Sequence, residues 1–148
     1  MNRNKVVERF IRIVLCGLIS VYCMGGICQS GQAADCNLNS FLANSLADQE
    51  QAAEITLATG RRMFYEYPLH LSVGVSCRYV IEDDTIVKLA ENKEVYKQPE
   101  RLGMPGADAA TGTFFFEAVK PGRTIVTLQH LFRGSIEKEI RVNVVVAE

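Results

Sequence analysis

The sequence predicts an all-β fold, an immunoglobulin-like antiparallel β-sandwich, in a chain of 148 residues. From Glu54 onward, short stretches alternate apolar and polar side chains with a period of two, as half-buried strands do. Turn-forming residues separate these stretches, and little of the region has helical periodicity. The chain has no Trp, so the Cys–Trp–Cys signature of antibody domains is absent.

The amino terminus has the pattern of a secretory signal. A positive region is formed by Arg3, Lys5, Arg9 and Arg12. An apolar run over residues 13–28 and the polar stretch "QSGQAAD" follow it, which is the order of a signal peptide. The run is short for a membrane span of about 20 residues. We expect a signal peptide over residues 1–33 and an exported protein, periplasmic or secreted. An uncleaved anchor is the alternative.

Composition limits the classes of partner and of site. From residue 34 onward the chain carries 12 Lys and Arg against 16 Asp and Glu, which disfavours nucleic acid and anionic membranes. Cys36 and Cys77 are the cysteines outside the signal, and in an oxidising compartment they could form one disulfide or remain separate. With two scattered histidines, they do not have the spacing of a metal site. We expect no cofactor and no metal.

Residues 34–54 predict a linker or a short helix on the outside of the domain. The stretch "NSFLANSLADQEQAAE" has no Gly or Pro, Asn39 or Ser40 could cap it, and its apolar stripe is thin. Strands follow in "EITLATG" and in "RRMFYEYP", where Pro68 is expected to end the strand. "VSCRYVIE" places Val75, Cys77, Tyr79 and Ile81 on one face, and "IVKLA" is a further short strand.

Residues 91–112 read as one long loop, because they are polar and contain two Pro and three Gly, and a minor strand at "EVYK" is the alternative within it. "GTFFFEAV" follows, and its period of two places Phe114 and Phe116 in the core and Phe115 on the opposite face. Pro121 and Gly122 predict a type II turn before "RTIVTLQHLF". The last strand, "IEKEIRVNVVVA", places one apolar set on one face, Ile140, Val142, Val144 and Val146, and a polar set on the other, Glu139, Arg141 and Asn143.

No group of residues predicts catalysis. Cys77 would need a neighbouring histidine, His70 or His130, to act as a nucleophile, and its place on an apolar strand face favours a core thiol. The segment "GMPGADAATG" lacks the lysine and the helix of a phosphate-binding loop. We therefore expect a protein that is not an enzyme.

Three blocks resemble the chagasin-type inhibitors of cysteine peptidases: "ITLATG", "RYVIEDDTIVKL" and "FFFEAVKPGRTIVTLQH". The last is similar to the family's hairpin, in which two aromatic residues, an Ala and a Pro-Gly pair recur. The resemblance covers about 90 residues and implies a chagasin-like sandwich domain over residues 55–148. It also implies that loops at one end of the sandwich occlude the active-site cleft of papain-like cysteine peptidases, with the inhibitor acting as a monomer.

The resemblance carries over three peptidase-binding loops by their position in the blocks. They are Leu71, Ser72, Val73 and Gly74; Gly106, Ala107, Asp108, Ala109, Ala110 and Thr111; and Phe132 with Arg133. These loops match the family's motifs less well than the framework does, because the first keeps only its Gly and one hydroxyl residue.

A second resemblance implies a different function. "ITLATGRRMFYEYP" and "KPGRTIVTL" are also similar to the amino-terminal domain of pilus-assembly secretins. The alternative is therefore a non-inhibitory immunoglobulin-like envelope or pilus-related module that binds another protein.

Overall fold

The computed structural model describes residues 26–27, 35–45 and 53–148. Its strands are β1 Gly26–Ile27, β2 Cys36–Asn37, β3 Ala53–Ala58, β4 Arg62–His70, β5 Val75–Ile81, β6 Val87–Tyr96, β7 Ala109–Ala118, β8 Gly122–Phe132 and β9 Ser135–Ala147. One helix, α1, spans Leu38–Ser45, and Pro99–Arg101 form a 3-10 turn. The predicted signal peptide lies outside the described residues, except that β1 pairs with β3. Within the described ranges, no helix is long and apolar enough to cross a membrane.

The strands form two layers, so the predicted immunoglobulin-like sandwich is confirmed. The hydrogen-bonded order is β1-β3-β9-β8-β5-β4-β7-β6. β4 and β5 pair only between His70 and Val75, and at this corner the path crosses from the first layer to the second. The pairs between the long strands are antiparallel, whereas β3 runs parallel to β9.

Aromatic side chains from both layers meet in the core. Phe114 and Phe116 of β7 are buried, and the ring of Tyr79 from the other layer makes edge contacts with both. Phe115 points outward, where its ring lies beside Phe64 and 4.9 Å from the guanidinium of Arg62. The expected division of the three phenylalanines is confirmed. It follows from the period of two along a strand.

The helix near the amino terminus packs one face against the domain and leaves Ser40, Ala43 and Asn44 exposed. Leu38 and Leu42 are buried in the core, and the Oδ1 of Asn37 accepts the helix-capping hydrogen bond from the amide of Ser40. β2 pairs with the edge of β4 that lies opposite β7. Asn39 continues this pairing because its side chain donates to and accepts from the main chain of Glu66. The thin apolar stripe of the helix is sufficient for this packing because only two of its described side chains, Leu38 and Leu42, are buried.

The predicted loop over residues 91–112 is too long, and the alternative strand at "EVYK" is observed as the end of β6. β6 continues to Tyr96 and β7 begins at Ala109, so the connection covers residues 97–108. β6 is an edge strand with a bulge between Leu89 and Glu91, and almost all of its side chains after Leu89 are exposed. Such a strand has no buried face and therefore shows no alternation in the sequence.

Two turn residues also depart from the prediction. β4 continues through Pro68 to His70. Its edge opposite β7 has few partners there among the described residues, and such an edge tolerates a missing N–H. Gly122 has a φ of 155°, far from the value of about 80° in a type II turn. A side chain at Gly122 would meet Ile86, since a Cβ there would lie 2.7 Å from the Cδ1 of Ile86.

Candidate functional site

The three predicted loops lie at the same end of the sandwich. The strand register places them together: His70 at the end of β4 is opposite Ala109 at the start of β7. Val75 at the start of β5 is opposite Phe132 at the end of β8. The chain therefore crosses this end at residues 71–74, 97–108 and 133–134. We call these crossings the first, second and third loops.

The first loop presents two apolar side chains to solvent. It is a tight turn in which the amides of Val73 and Gly74 donate to the carbonyl of His70 at 3.1 and 3.0 Å. Leu71 is 62% exposed and Val73 is 42% exposed. Gly74 has a φ of 89°, and a Cβ there would lie 3.0 Å from the main-chain nitrogen of Arg133. A glycine is required at this position on both grounds.

The second loop has an anchored end and an exposed middle. Asp108 accepts two hydrogen bonds of 2.6 Å from Ser72, one from the amide and one from the hydroxyl. Leu102 and Met104, in the middle of the loop, are 50% and 56% exposed. The residues that contact the first loop and the residues that are free to contact a partner are therefore different.

Part of the predicted second loop is strand. Ala109, Ala110 and Thr111 belong to β7, and Ala110 is buried in the core. Ala107 is only 4% exposed, which leaves Gly106 as the exposed residue of this set. The prediction was wrong for Ala109, Ala110 and Thr111 because β7 already begins at Ala109. The predicted loop extended to Gly112.

The third loop is a two-residue hairpin. Phe132 is the last residue of β8 and pairs with Ser135 across the turn. Arg133 and Gly134 have φ values of 51° and 85°, as a type I′ turn requires at both central positions. The amide of Arg133 donates to the carbonyl of Gly74 at 2.8 Å, and its guanidinium lies 5.1 Å from the centre of the Phe132 ring. The third loop is therefore joined to the first.

The electrostatics of this end are centred on Asp108. The hydrogen bonds from the side chain and the main chain of Ser72 hold the pKa of Asp108 below its ordinary value, and the charge of His70 acts in the same direction. The Nε2 of His70 is buried and lies 3.2 Å from Oδ1 of Asp108, although it makes no hydrogen bond in this geometry. The carboxylate therefore stays ionised through the neutral and mildly acidic range.

The described cysteines form neither a disulfide nor a nucleophilic pair with a histidine. No disulfide joins Cys36 to Cys77, so of the two alternatives the separate thiols are observed. Burial raises the pKa of Cys77 to about 11. His130 lies opposite Cys77 in the register, but its Nε2 is hydrogen-bonded to the hydroxyl of Tyr65 at 2.7 Å. A thiol with this pKa is almost wholly protonated at neutral pH, which disfavours attack by Cys77.

Metal chemistry has no support among the described residues. No group of three or more His, Cys, Asp or Glu side chains in these ranges could hold a metal ion.

Sequence reasoning missed Leu102 and Met104 as candidate contact residues, because the family motif directed attention to residues 106–111. The available signal was that two large apolar side chains stand in a polar stretch.

Comparisons with known proteins support the fold. No protein-family model and no curated protein matches the chain. Among solved structures, the cysteine protease inhibitor EhICP2 from Entamoeba histolytica is similar with a TM-score of 0.52 and 14% identity, over 65% of this chain and 87% of that chain. This chain shares its fold with that inhibitor. The framework resemblance to chagasin-type proteins is confirmed at the level of the fold alone.

Two further solved structures are similar at lower TM-scores. Amebosin matches with a TM-score of 0.42 and 14% identity, over 64% of this chain and 89% of that chain. Domains 4 and 5 of the S-layer protein SbsC match with a TM-score of 0.38 and 13% identity, over 63% of this chain and 40% of that chain.

Proposed function

We propose that this protein inhibits papain-like cysteine peptidases by inserting the three loops at one end of its sandwich into the active-site cleft. One observation carries the proposal: the three loops share an end and are bonded to one another, through Ser72 with Asp108 and through Gly74 with Arg133. The fold shared with a cysteine protease inhibitor directs the proposal to this class of partner.

Occlusion of a cleft requires loops that are ordered before binding. A loop that is fixed in the free protein loses little conformational entropy when it binds, so more of the contact energy contributes to affinity. The first loop meets this requirement because both of its neighbours bond to it. A fixed loop also resists the extended geometry that a peptidase needs for cleavage.

The exposed residues at this end define the proposed contact. Leu71 and Val73 supply apolar surface from the first loop, and Leu102 and Met104 supply it from the second. Arg133 with Phe132 supplies a cation and an aromatic ring from the third. Surface loops on a rigid scaffold are a common place for such binding residues.

The same proposal includes location and assembly. A signal peptide over residues 1–33 would export the protein to the periplasm or outside the cell, where it would meet its target as a monomer. Comparing the amino-terminal sequence of the protein from the exported fraction with that of the whole chain tests the processing step.

Inhibition of papain by the purified protein tests the function. We expect a dissociation constant in the nanomolar range, and no inhibition at micromolar concentration would exclude the proposal. Val73→Asp should weaken inhibition by about tenfold or more, because it places a charge in a desolvated contact. Val119→Asp is the matched control, since Val119 is 39% exposed and follows β7 at the opposite end.

The second candidate, a non-inhibitory envelope module, predicts a different result. In that case papain is not inhibited by the wild-type protein, and Val73→Asp and Val119→Asp behave alike. No contact among the described residues favours this candidate over the first.

A further inference from the structure

The contact between Ser72 and Asp108 has the geometry of a two-point clasp. The two residues are 36 positions apart in the chain and belong to different loops. Each carboxylate oxygen accepts one hydrogen bond of 2.6 Å, Oδ2 from the amide of Ser72 and Oδ1 from its hydroxyl. Hydrogen bonds to an ionised acceptor are shorter and stronger than neutral ones. Two such bonds fix both the position and the orientation of Ser72.

The clasp acts on the residues that are free to touch a partner. Ser72 stands between Leu71 and Val73, the two exposed apolar side chains of the first loop. Asp108 itself is held by the start of β7 on the rigid layer, since Ala109 next to it pairs with His70. The carboxylate of Asp108 therefore fixes the position of the first loop relative to the sheet.

We propose that Asp108 is a positioning residue, which holds the first loop in the conformation that presents Leu71 and Val73 to the peptidase. This inference rests on the function proposed above for its consequence in binding. Its structural part, the fixing of Ser72 by Asp108, stands independently. Asp108 contributes through Ser72 and does not itself need to touch the partner.

The chain contains a matched control at the opposite end. Asp83 also accepts two hydrogen bonds from one hydroxyl residue: its Oδ1 accepts the amide of Thr85 at 2.9 Å and the hydroxyl at 2.6 Å. Asp83 lies between β5 and β6, away from the three loops. Asp83→Ala therefore removes the same kind of contact without touching the proposed contact surface.

The experiment measures amide hydrogen exchange and papain inhibition on the same purified variants. In Asp108→Ala, we expect the Ser72 amide to exchange at least about tenfold faster and inhibition to weaken by about tenfold. Ser72→Ala keeps the amide bond to Asp108 and should show a smaller effect. Ser72→Thr keeps both donors, so the exchange rate of the amide at position 72 and the inhibition of papain should both stay within about threefold of the wild type.

The outcomes separate this inference from the proposed function. Unchanged exchange at Ser72 in Asp108→Ala overturns the clasp, whatever the inhibition data show. Faster exchange with undiminished inhibition overturns the positioning role. If Asp83→Ala weakens inhibition equally, the effect is general destabilisation and the inference fails. A wild-type protein that does not inhibit papain sinks the proposed function and the binding consequence, while exchange still decides whether Asp108 fixes the loop.

Discussion

The ring of Tyr67 lies over the main chain of Gly112, its partner on the neighbouring strand. A Cβ at Gly112 would lie 2.2 Å from the Cζ of Tyr67. The same ring stacks on Phe114 with centroids 4.4 Å apart, and its hydroxyl donates to Asn92 on the edge strand at 3.1 Å. An aromatic ring that covers a strand glycine replaces the packing that the glycine lacks. The side chain of Tyr67 on β4 therefore contacts both β7 and β6.

Gly112→Ala is expected to destabilise the fold by about 1–3 kcal/mol, because the added methyl group overlaps the Tyr67 ring and forces it to move. Urea unfolding measures the loss. In a Tyr67→Ala background the overlap is absent, so the same substitution should cost less. Equal costs in the two backgrounds would show that the ring is not the cause.

The three phenylalanines should differ in their contribution to stability. Phe116→Ala removes a side chain that is 0% exposed, and about 3–5 kcal/mol of unfolding free energy should be lost. Phe115→Ala removes a half-buried ring from the outer face and should cost less than half as much. If Phe116→Ala does not fold, Phe116→Leu keeps the comparison measurable. Similar losses at Phe115 and Phe116 would contradict the assignment of faces.

Acid should weaken the fold through His130. Burial, followed by the charge of Lys138, lowers the pKa of His130 below its ordinary value of 6.5. As the pH falls below about 6.5, the unfolded chain takes up the proton before the folded protein does, so stability falls by at most about 1.4 kcal/mol per pH unit.

His130→Gln tests this pH dependence, because the glutamine side-chain amide can still hydrogen-bond to the Tyr65 hydroxyl in either direction but does not titrate. Urea unfolding at pH 7 and pH 5 should show a smaller difference for the variant than for the wild type. Asp83 and Asp108, whose pKa values are lowered, contribute mainly at more acidic pH. An unchanged difference in the variant would exclude His130 as the group responsible.

The amino-terminal helix should be needed for stability. Leu38→Ala removes a side chain that is 0% exposed between the layers, and we expect a loss of about 2–5 kcal/mol. Asn44→Ala on the exposed side of the same helix is the control and should change stability by less than about 0.5 kcal/mol. A linker helix would leave both variants as stable as the wild type in thermal or urea unfolding.

The Cys77 thiol should react slowly in the folded protein. Its pKa is raised from 9.0 to about 11, which lowers the thiolate fraction at neutral pH by about a hundredfold. A variant in which Cys16, Cys23, Cys28 and Cys36 are all replaced by Ser isolates Cys77 for labelling with a disulfide reagent. Labelling should be slow in the native protein and fast in urea. Fast native labelling would reopen a nucleophilic role for Cys77.

The framework was predictable from the sequence, because strand periodicity is a local property. Val142, Val144 and Val146 of β9 stand at alternate positions in the sequence and are buried in the structure, as are Phe114 and Phe116. In β5, the sequence also places Val75, Cys77, Tyr79 and Ile81 on one face. The last three of these side chains pack against the core. In each case the side-chain period of two carries the information.

The edge elements and the site were not predictable to the same degree. The second half of β6 is exposed on both faces, so its strand character has no signal in the hydrophobic pattern. Helix α1 showed only a thin apolar stripe, and its burial depends on the open edge of β4, which the sequence near residue 40 does not describe. The second half of β6 and helix α1 both depend on pairing or packing with a neighbouring strand, β7 for the first and β4 for the second.

The sequence by itself determined which residues face the core, because that choice follows from alternation along each strand. The resemblance to the chagasin-type family also indicated loops at residues 71–74 and at Phe132 with Arg133. Only the tertiary structure decided that these loops share one end and that Ser72 meets Asp108, 36 positions away. The physical reason is that such contacts depend on strand register and layer order, which are set by non-local pairing and not by any local stretch of sequence.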